Sequence, residues 1–380
     1  MRPYALSLAL IVAGCGGNGS TTVTPASTPP NNGGGGATGG TDGGMPTGGG
    51  GTTGGGGGGD MGGGGGGTTG TGGGGDMGGG DGGGGGAACT STQPERLTQA
   101  STGAFGLAVD DSAVYFTTQM MPTKENDYVL WRAPIAGGAA TKVGTTTDYA
   151  ATSVVVNADA VFTMSSFGVL ERWPKDGSAP TVLSETTGND FGSRAVADAG
   201  GYIYSLTQDG VVRIAETGGA VQAIGNVANP LAFAFDATDI YVTSDKSIVR
   251  VPRGGGPTSV ATQTPDPLDG VAVDDAHVYT GGFGGTIYVA DKQDGASATA
   301  LFSTGMKEVD DLFVDSGHLY YRADTLGSSG LQQVIGRVAL DGSGKTVLAT
   351  VAGDIGRVQI RGSYVYYTFA NDSSVYRVCK

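Results

Sequence analysis

Residues 271–279 read VAVDDAHVY. An alternating apolar run of strand formers meets an acidic turn, and a branched residue followed by an aromatic opens the next strand. The same phrase recurs seven times between Ala104 and Lys380. Its last two letters are the most regular: Val114 and Tyr115, Val161 and Phe162, Ile203 and Tyr204, Ile240 and Tyr241, Val278 and Tyr279, Leu319 and Tyr320, Val365 and Tyr366. Successive aromatics lie 47, 42, 37, 38, 41 and 46 residues apart.

Outward from this pair the unit completes itself. A third strand centres on Arg132, Arg172, Arg213, Arg250, Arg337 or Arg377, with Tyr288 standing for Arg in the fifth unit. A short fourth strand follows a Gly-Gly or Asp-Gly turn such as Gly137-Gly138, Asp176-Gly177 or Asp341-Gly342, residues that supply the positive φ of tight connections. Four short strands repeated at this period make a β-propeller blade. The expectation is an all-β chain, a seven-bladed β-propeller of four-stranded blades. No segment carries a helical period with caps, so almost no helix is expected.

The seventh unit breaks off at Lys380 after its third strand. Glu95 to Thr98, ahead of the first complete unit, match a fourth strand, with Leu97 in the slot of Val143. The N-terminal strand is therefore expected to pair with the strand holding Arg377 and close the ring. On that register Cys89 falls on the equivalent of Ile135 and Cys379 on that of Pro134, flanking the one severed turn. In an oxidising compartment the two should form a disulfide.

The pattern of residues 271–274, the pairs such as Val278-Tyr279, strands such as Ile248 to Val251 and turns such as Asp176-Gly177 resemble the NHL, YVTN and TolB-like group of propellers. The resemblance covers nearly all of residues 89–380 and implies a fold. That group holds scaffolds, ligand binders and a few enzymes, so it implies no single activity.

The first 88 residues are of another kind. Residues 1–14 carry Arg2 and an apolar stretch from Ala5 to Val12, which suits a secretion signal and falls well short of the ~20 residues of a membrane-spanning helix. Val12, Ala13, Gly14 and Cys15 resemble the lipobox of bacterial lipoproteins. That resemblance implies cleavage before Cys15 and its lipidation, with more than one acyl chain making the anchor stable. Gly16 and Gly17 lack the Asp that retains such proteins at the inner membrane, which implies the outer membrane or the cell surface.

Within residues 15–88, 40 of the 73 residues after Cys15 are Gly, without a Gly-X-Y period. So little apolar side chain does not offset the entropy of ordering, and a disordered tether is expected. Its root-mean-square span is roughly 45 to 50 Å, from ~5 to 6 Å times the square root of residue number. Asp60-Met61 and Asp76-Met77 sit in Gly runs without the strand and helix of a phosphate loop.

The chain has 35 Asp and Glu against 21 Lys and Arg. An acidic domain repels phosphate backbones, so nucleic acid is not an expected partner. His277 and His318 precede the aromatic of their units by two residues, in the first-to-second turn, away from the face where propellers bind ligands. A structural role is expected for them and for the repeated Arg, whose stem covers apolar neighbours while its head pairs with an acid.

The informative segments are the blade-to-blade loops, which hold Asp148, Asp190, Asp269, Asp310, Asp311 and Asp354, each just before a channel-lining strand. Such carboxylates suit Ca²⁺ or a basic peptide, or are ordinary solvated loop charge. Asp190-Phe191-Gly192 imitates a kinase magnesium triplet without any other kinase element. Two long second-to-third connections, Gln119 to Tyr128 and Ala323 to Gln333, present Met120, Met121, Leu326 and Leu331 to a protein or apolar partner.

The resulting expectation is a monomeric, noncatalytic binding or scaffolding lipoprotein of the bacterial envelope. It touches the membrane through its lipid alone, needs no cofactor beyond the Ca²⁺ alternative, and presents its face to a protein or peptide. Two alternatives stand beside it: a propeller-type lyase or hydrolase with an acidic, metal-binding centre, and a subunit of an outer-membrane assembly complex.

Overall fold

The computed structural model describes residues 89, 91–100, 103–119, 128–146, 151–165, 168–185, 195–197, 200–292, 295, 297–327 and 330–380. The signal segment, Cys15, the Gly-rich stretch, Asp148 and the triplet 190–192 lie outside them. Among the described residues there are strands and turns and no helix.

The strands form seven four-stranded antiparallel sheets. Six follow chain order, from blade 1 (Ala104–Val109, Ala113–Gln119, Tyr128–Pro134, Thr141–Thr145) to blade 6 (Glu308–Asp315, His318–Gly327, Gly330–Ala339, Thr346–Ala352). Blade 7 joins Ile355–Arg361, Tyr364–Phe369 and Ser374–Cys379 to the N-terminal strand Glu95–Gln99. Glu95 pairs with Arg377 and Gln99 with Ser374, so the ring closes as the repeat predicts.

The ruler pair has a physical cause. Side chains alternate across a strand, so the branched residue and the aromatic face opposite neighbours. Val114 packs with Tyr366 and Val375 of blade 7, while Tyr115 packs with Val154, Val161 and Trp173 of blade 2. Val161 then faces blade 1 and Phe162 faces Ile203 and Ile214 of blade 3. The alternation continues round the ring, so the core is a series of apolar seams between adjacent blades. Each blade buries its faces against its neighbours, so closing the ring covers the faces that the first and last blades would otherwise expose.

Every fourth strand carries a bulge. The pairing skips Val143 in blade 1, Leu183 in blade 2 and Leu97 in blade 7. Leu97 thus takes the place of Val143, and the adjacent Cys89 and Cys379 are joined by a disulfide with Cα atoms 5.6 Å apart.

The third strand of blade 5 and the hairpin of blade 6 differ from the expectation. In the fifth blade Tyr279 faces Val289, and Tyr288 lies opposite Thr280, so Val289 holds the Arg position. An offset of one residue along a strand sends a side chain to the other face, so Tyr288 and the repeated Arg lie on opposite faces. The Tyr288 hydroxyl donates instead to Asp266. The segment from Ala323 to Gln333 is also no loop: the ladder runs on through Leu326 opposite Leu331 to Gly327 opposite Gly330. On the first long connection, Gln119 pairs with Tyr128, and residues 120–127 lie outside the described ones.

Two of the repeated Arg, Arg213 and Arg377, are inter-blade staples. Arg377 Nη1 donates to the Ile135 carbonyl of blade 1 at 2.9 Å and its Nε to Glu95 at 3.0 Å. Arg213 Nη1 does the same to Arg253 of blade 4 at 2.9 Å, with its guanidinium over the Tyr202 ring.

At the opposite end of the strands, first-to-second turns are closed by an acid or amide. Asp110 Oδ1 accepts the Ser112 and Ala113 N–H groups, and Lys175 of blade 2 reaches Asp110 Oδ2 at 2.6 Å. Burial works against the Asp110 charge, but Lys175 and these donors prevail and hold its pKa down to about 2. A depressed folded pKa means stability that is present above the unfolded value near 4 and lost as pH falls through 2. The contribution is about 1 to 2 kcal/mol once solvent screening is allowed for. Acid titration followed by circular dichroism should show Lys175→Met losing structure at a higher pH than the wild type between pH 4 and 2. Coincident curves for the two chains would refute the staple.

Candidate functional site

The blade-to-blade connections and second-to-third hairpins emerge at one end of the sheets, where each first strand begins. On this loop face, the residues of six first strands slip out of register by a bulge near their start, blade 3 being the exception with its short Ala195–Ala197. Bulges re-aim side chains. Asp269, between Leu268 and Gly270, and Asp310, between Val309 and Asp311, occupy equivalent bulge positions in blades 5 and 6.

Of the six loop aspartates expected at the mouth, Asp148 and Asp190 lie outside the described residues. Asp269, Asp310 and Asp311 lie within strands rather than loops, in Leu268–Val273 and Glu308–Asp315. Asp354 is exposed, just before Ile355–Arg361. These four gather in the sector of blades 5 to 7, joined by three residues that the sequence reading missed: Glu308, Arg322 and Asp324.

Arg322 has a readable cause. Two residues after the aromatic, Thr117, Thr243 and Thr368 tie one blade to the next. The Thr117 hydroxyl accepts the Gly106 N–H at 3.0 Å and donates to the Ala151 carbonyl of blade 2 at 2.6 Å. Thr243 joins Ala232 to the Asp269 carbonyl, and Thr368 joins Arg357 to the Phe105 carbonyl. In blade 6 this slot holds Arg322, whose Nη1 donates to the Ile355 carbonyl of blade 7 at 3.1 Å. Its Nε donates to Asp311 Oδ2 at 2.7 Å, and Asp310 Oδ2 lies 3.5 Å from Nη1. Asp311 itself sits where blade 1 has Gly106 and blade 4 has Ala232. A neutral hydroxyl tie has been replaced by a buried ion group.

The carboxylates exceed what Arg322 can compensate. Asp269, Glu308 and Asp310 each offer an oxygen within 4.8 Å of the others. Burial raises Asp310 to about 7; Arg322 opposes this, and Asp311, Asp269 and Asp324 reinforce it. Burial, then Asp324 and Asp269, raise Glu308 to about 7. Asp324 is raised by burial as well, against Arg322. Burial disfavours the Arg322 charge, but Asp311 and Asp310 outweigh it and keep the guanidinium protonated.

Beside this sector two large apolar side chains of the described residues are exposed. Phe283, 47% exposed, sits in the hairpin of blade 5 and donates its N–H to the Pro267 carbonyl, and the next residue, Gly284, bonds the Lys307 carbonyl. Leu231, 46% exposed, occupies in blade 4 the bulge position of Asp269.

The histidines are elsewhere. Each is the first residue of its strand rather than a turn residue, His277 in His277–Gly282 and His318 in His318–Gly327. His277 lies 3.4 Å from Asp274, and His318 Nδ1 is 3.1 Å from the Ser316 carbonyl. Six residues of extended strand, ~20 Å, separate His318 from Asp324.

No protein-family model matches this chain, and no curated protein matches it. Solved structures match it in fold. YCF48 bound to D1 peptide is similar with a TM-score of 0.59 and 12% identity, over 76% of this chain and 96% of that one. A catalytically inactive virginiamycin B lyase from Staphylococcus aureus with quinupristin gives 0.58 and 14%, over 76% and 98%. The WD40 propeller domain of Doa1 gives 0.56 and 13%, over 75% and 95%. At these identities the likeness establishes that the chain is a seven-bladed β-propeller.

Proposed function

We propose that this protein is a noncatalytic binding scaffold that presents the loop face of its propeller to a protein or peptide partner. Lipidated Cys15 anchors it to the outer membrane or surface of a bacterium, and residues 16–88 serve as its leash. The carrying observation is the exposure of Leu231 and Phe283 beside the acidic sector of Asp269 and Glu308. Apolar anchors within a charged surround are the composition of a protein-recognition surface, and the partner that fits has apolar side chains flanked by Lys or Arg. One of the structures similar in fold, YCF48 bound to D1 peptide, holds a peptide partner.

A photo-crosslinking amino acid at Phe283 of the full-length chain in bacterial cells should yield one discrete protein adduct. The same group at Val260, 53% exposed on the outer strand of blade 4, should not. Equal yields at both positions, or none at either, would refute the reading. An adduct that proves to be an integral outer-membrane protein selects the assembly-complex form of the scaffold. Labelling with radioactive palmitate should mark the wild type and spare Cys15→Ser, and label retained by that variant would remove the anchor.

A further inference from the structure

We infer that the sector between blades 5 and 6 is a binding site for a divalent cation of the calcium class, coordinated by the carboxylates of Asp269, Glu308 and Asp310, with the buried carboxylate of Asp324 beside them.

Two independent observations meet here. The first is geometric: the three carboxylates come from the equivalent bulges of two adjacent first strands and from Glu308, two residues before the second bulge. Their oxygens lie within 4.8 Å of one another. Calcium binds oxygens at ~2.3 to 2.6 Å, so any two ligands of one ion lie within ~5 Å, and this cluster fits inside that sphere. The second is Asp324. It is 7% exposed, and its Oδ1 is buried without a hydrogen-bond partner. Asp324 lies directly opposite Glu308 in the antiparallel ladder, an arrangement that places the two side chains on one face with their Cβ atoms about 5 Å apart. It also acts electrostatically on both Glu308 and Asp310. A native fold seldom leaves a buried carboxylate oxygen unsatisfied, and a bound cation is one of the ordinary ways of satisfying it.

Charge selects the ligand. Asp310 feels the charges of Asp311, Asp269 and Asp324 against Arg322, and Asp324 those of Asp269 and Asp354 against Arg322 and Lys307. The bonds of Arg322 go to Asp311, to the edge of Asp310 and to the Ile355 carbonyl of blade 7, and it acts on Glu308 by charge alone. A hard, multivalent ion takes several carboxylate oxygens at once, whereas one ammonium group compensates a single charge. The sector joins blade 5 to blade 6 through side chains rather than through backbone pairing, so a bound ion would brace that seam and hold the extended hairpin of blade 6, His318–Gly327 and Gly330–Ala339, relative to its neighbour. The inference is independent of the partner proposed above: the site binds its ion whether or not the loop face binds a protein.

The experiment uses the full-length chain, stripped with chelator and dialysed, titrated with CaCl₂ by calorimetry and by thermal unfolding at constant ionic strength. Saturable binding of one ion per chain and a rise of several degrees in midpoint are expected, with NaCl at equal ionic strength giving neither. Asp324→Asn and Asp269→Asn should each weaken binding ~10-fold or more, and Asp372→Asn, a turn residue of blade 7, should leave it unchanged. Absence of saturable binding by millimolar CaCl₂, MgCl₂ and MnCl₂ to the wild type would overturn the inference, and this arm needs no variant. Unaltered affinity in both Asp269→Asn and Asp324→Asn would overturn it as well. Calcium-independent binding of a Lys-rich peptide that is lost in the same variants would reassign the cluster to a basic ligand.

Discussion

Replacing Cys89 and Cys379 together by Ser lowers the stability of the propeller by up to ~5 kcal/mol in the chain-entropy model, in which the cost of the unlinked unfolded chain grows with the logarithm of the loop closed. The two residues are 290 positions apart, so the bond constrains nearly the whole folded unit. The variant should still form a ring, because Glu95–Gln99 keeps its pairing with Ser374–Cys379 and Leu97 remains buried in the seam of blades 7 and 1. What changes is the order of opening. In hydrogen exchange the amides of Arg96 and Thr98 should become the least protected of the fourth-strand amides in the variant. In the wild type they should match the fourth strand of blade 1. The check is a pair of denaturation curves, oxidised against Cys89→Ser/Cys379→Ser. A difference below about 1 kcal/mol would mean that the strand pairing alone fixes the ends.

Replacing Arg322 by Thr costs about 3 to 5 kcal/mol, the usual result of deleting one member of a buried ion group and leaving its partners uncompensated. Asp311 and Asp310 both lose their cation, and the Ile355 carbonyl loses its donor. The single variant imitates blades 1, 4 and 7 at that slot and still fails, because its neighbour is Asp311 where blades 1 and 4 have Gly106 and Ala232. Asp311→Gly added to Arg322→Thr reconstructs the tie of blade 1 and should recover more than half of the loss. Thermal midpoints of the wild type, the two single variants and the double variant complete the cycle. Additive losses would show that Arg322 and Asp311 do not act as a unit. The same double variant separates stability from recognition, since it spares Phe283 and Leu231 and should retain the crosslink at the loop face.

The histidines and the repeated Arg illustrate how repetition in a sequence discriminates between scaffold and site. Among the Arg repeated at 132, 172, 213, 250, 337 and 377, Arg213 and Arg377 do the same structural work, each bonding a carbonyl of the next blade. The exception carries the information: Arg322 stands in a slot that three other blades fill with Thr, and the adjoining Asp311 stands in one that two of them fill with Gly or Ala. Comparison of the blades at this slot would have singled out both residues. Asp269, Asp310, Asp311 and Asp354 are legible as acids just before first strands, whereas Asp324 falls in the segment Ala323 to Gln333, expected as a connection, and its meeting with Glu308 depends on the ladder that runs through that segment.

The sequence by itself determined the number of blades, their four strands, the pairing of the chain ends and the meeting of Cys89 with Cys379. The reason is local: strand alternation and turn residues repeat at a fixed period, and a unit whose fourth strand is missing from one end and present at the other can be completed in only one way. The tertiary structure alone decided where the charges meet. Asp269, Glu308, Asp324 and Asp354 belong to three blades, and they converge because bulges turn two of the first strands and the ladder sets Asp324 opposite Glu308. A bulge is an offset between two strands rather than a property of either, so no reading of one strand at a time reveals which side chains it brings together.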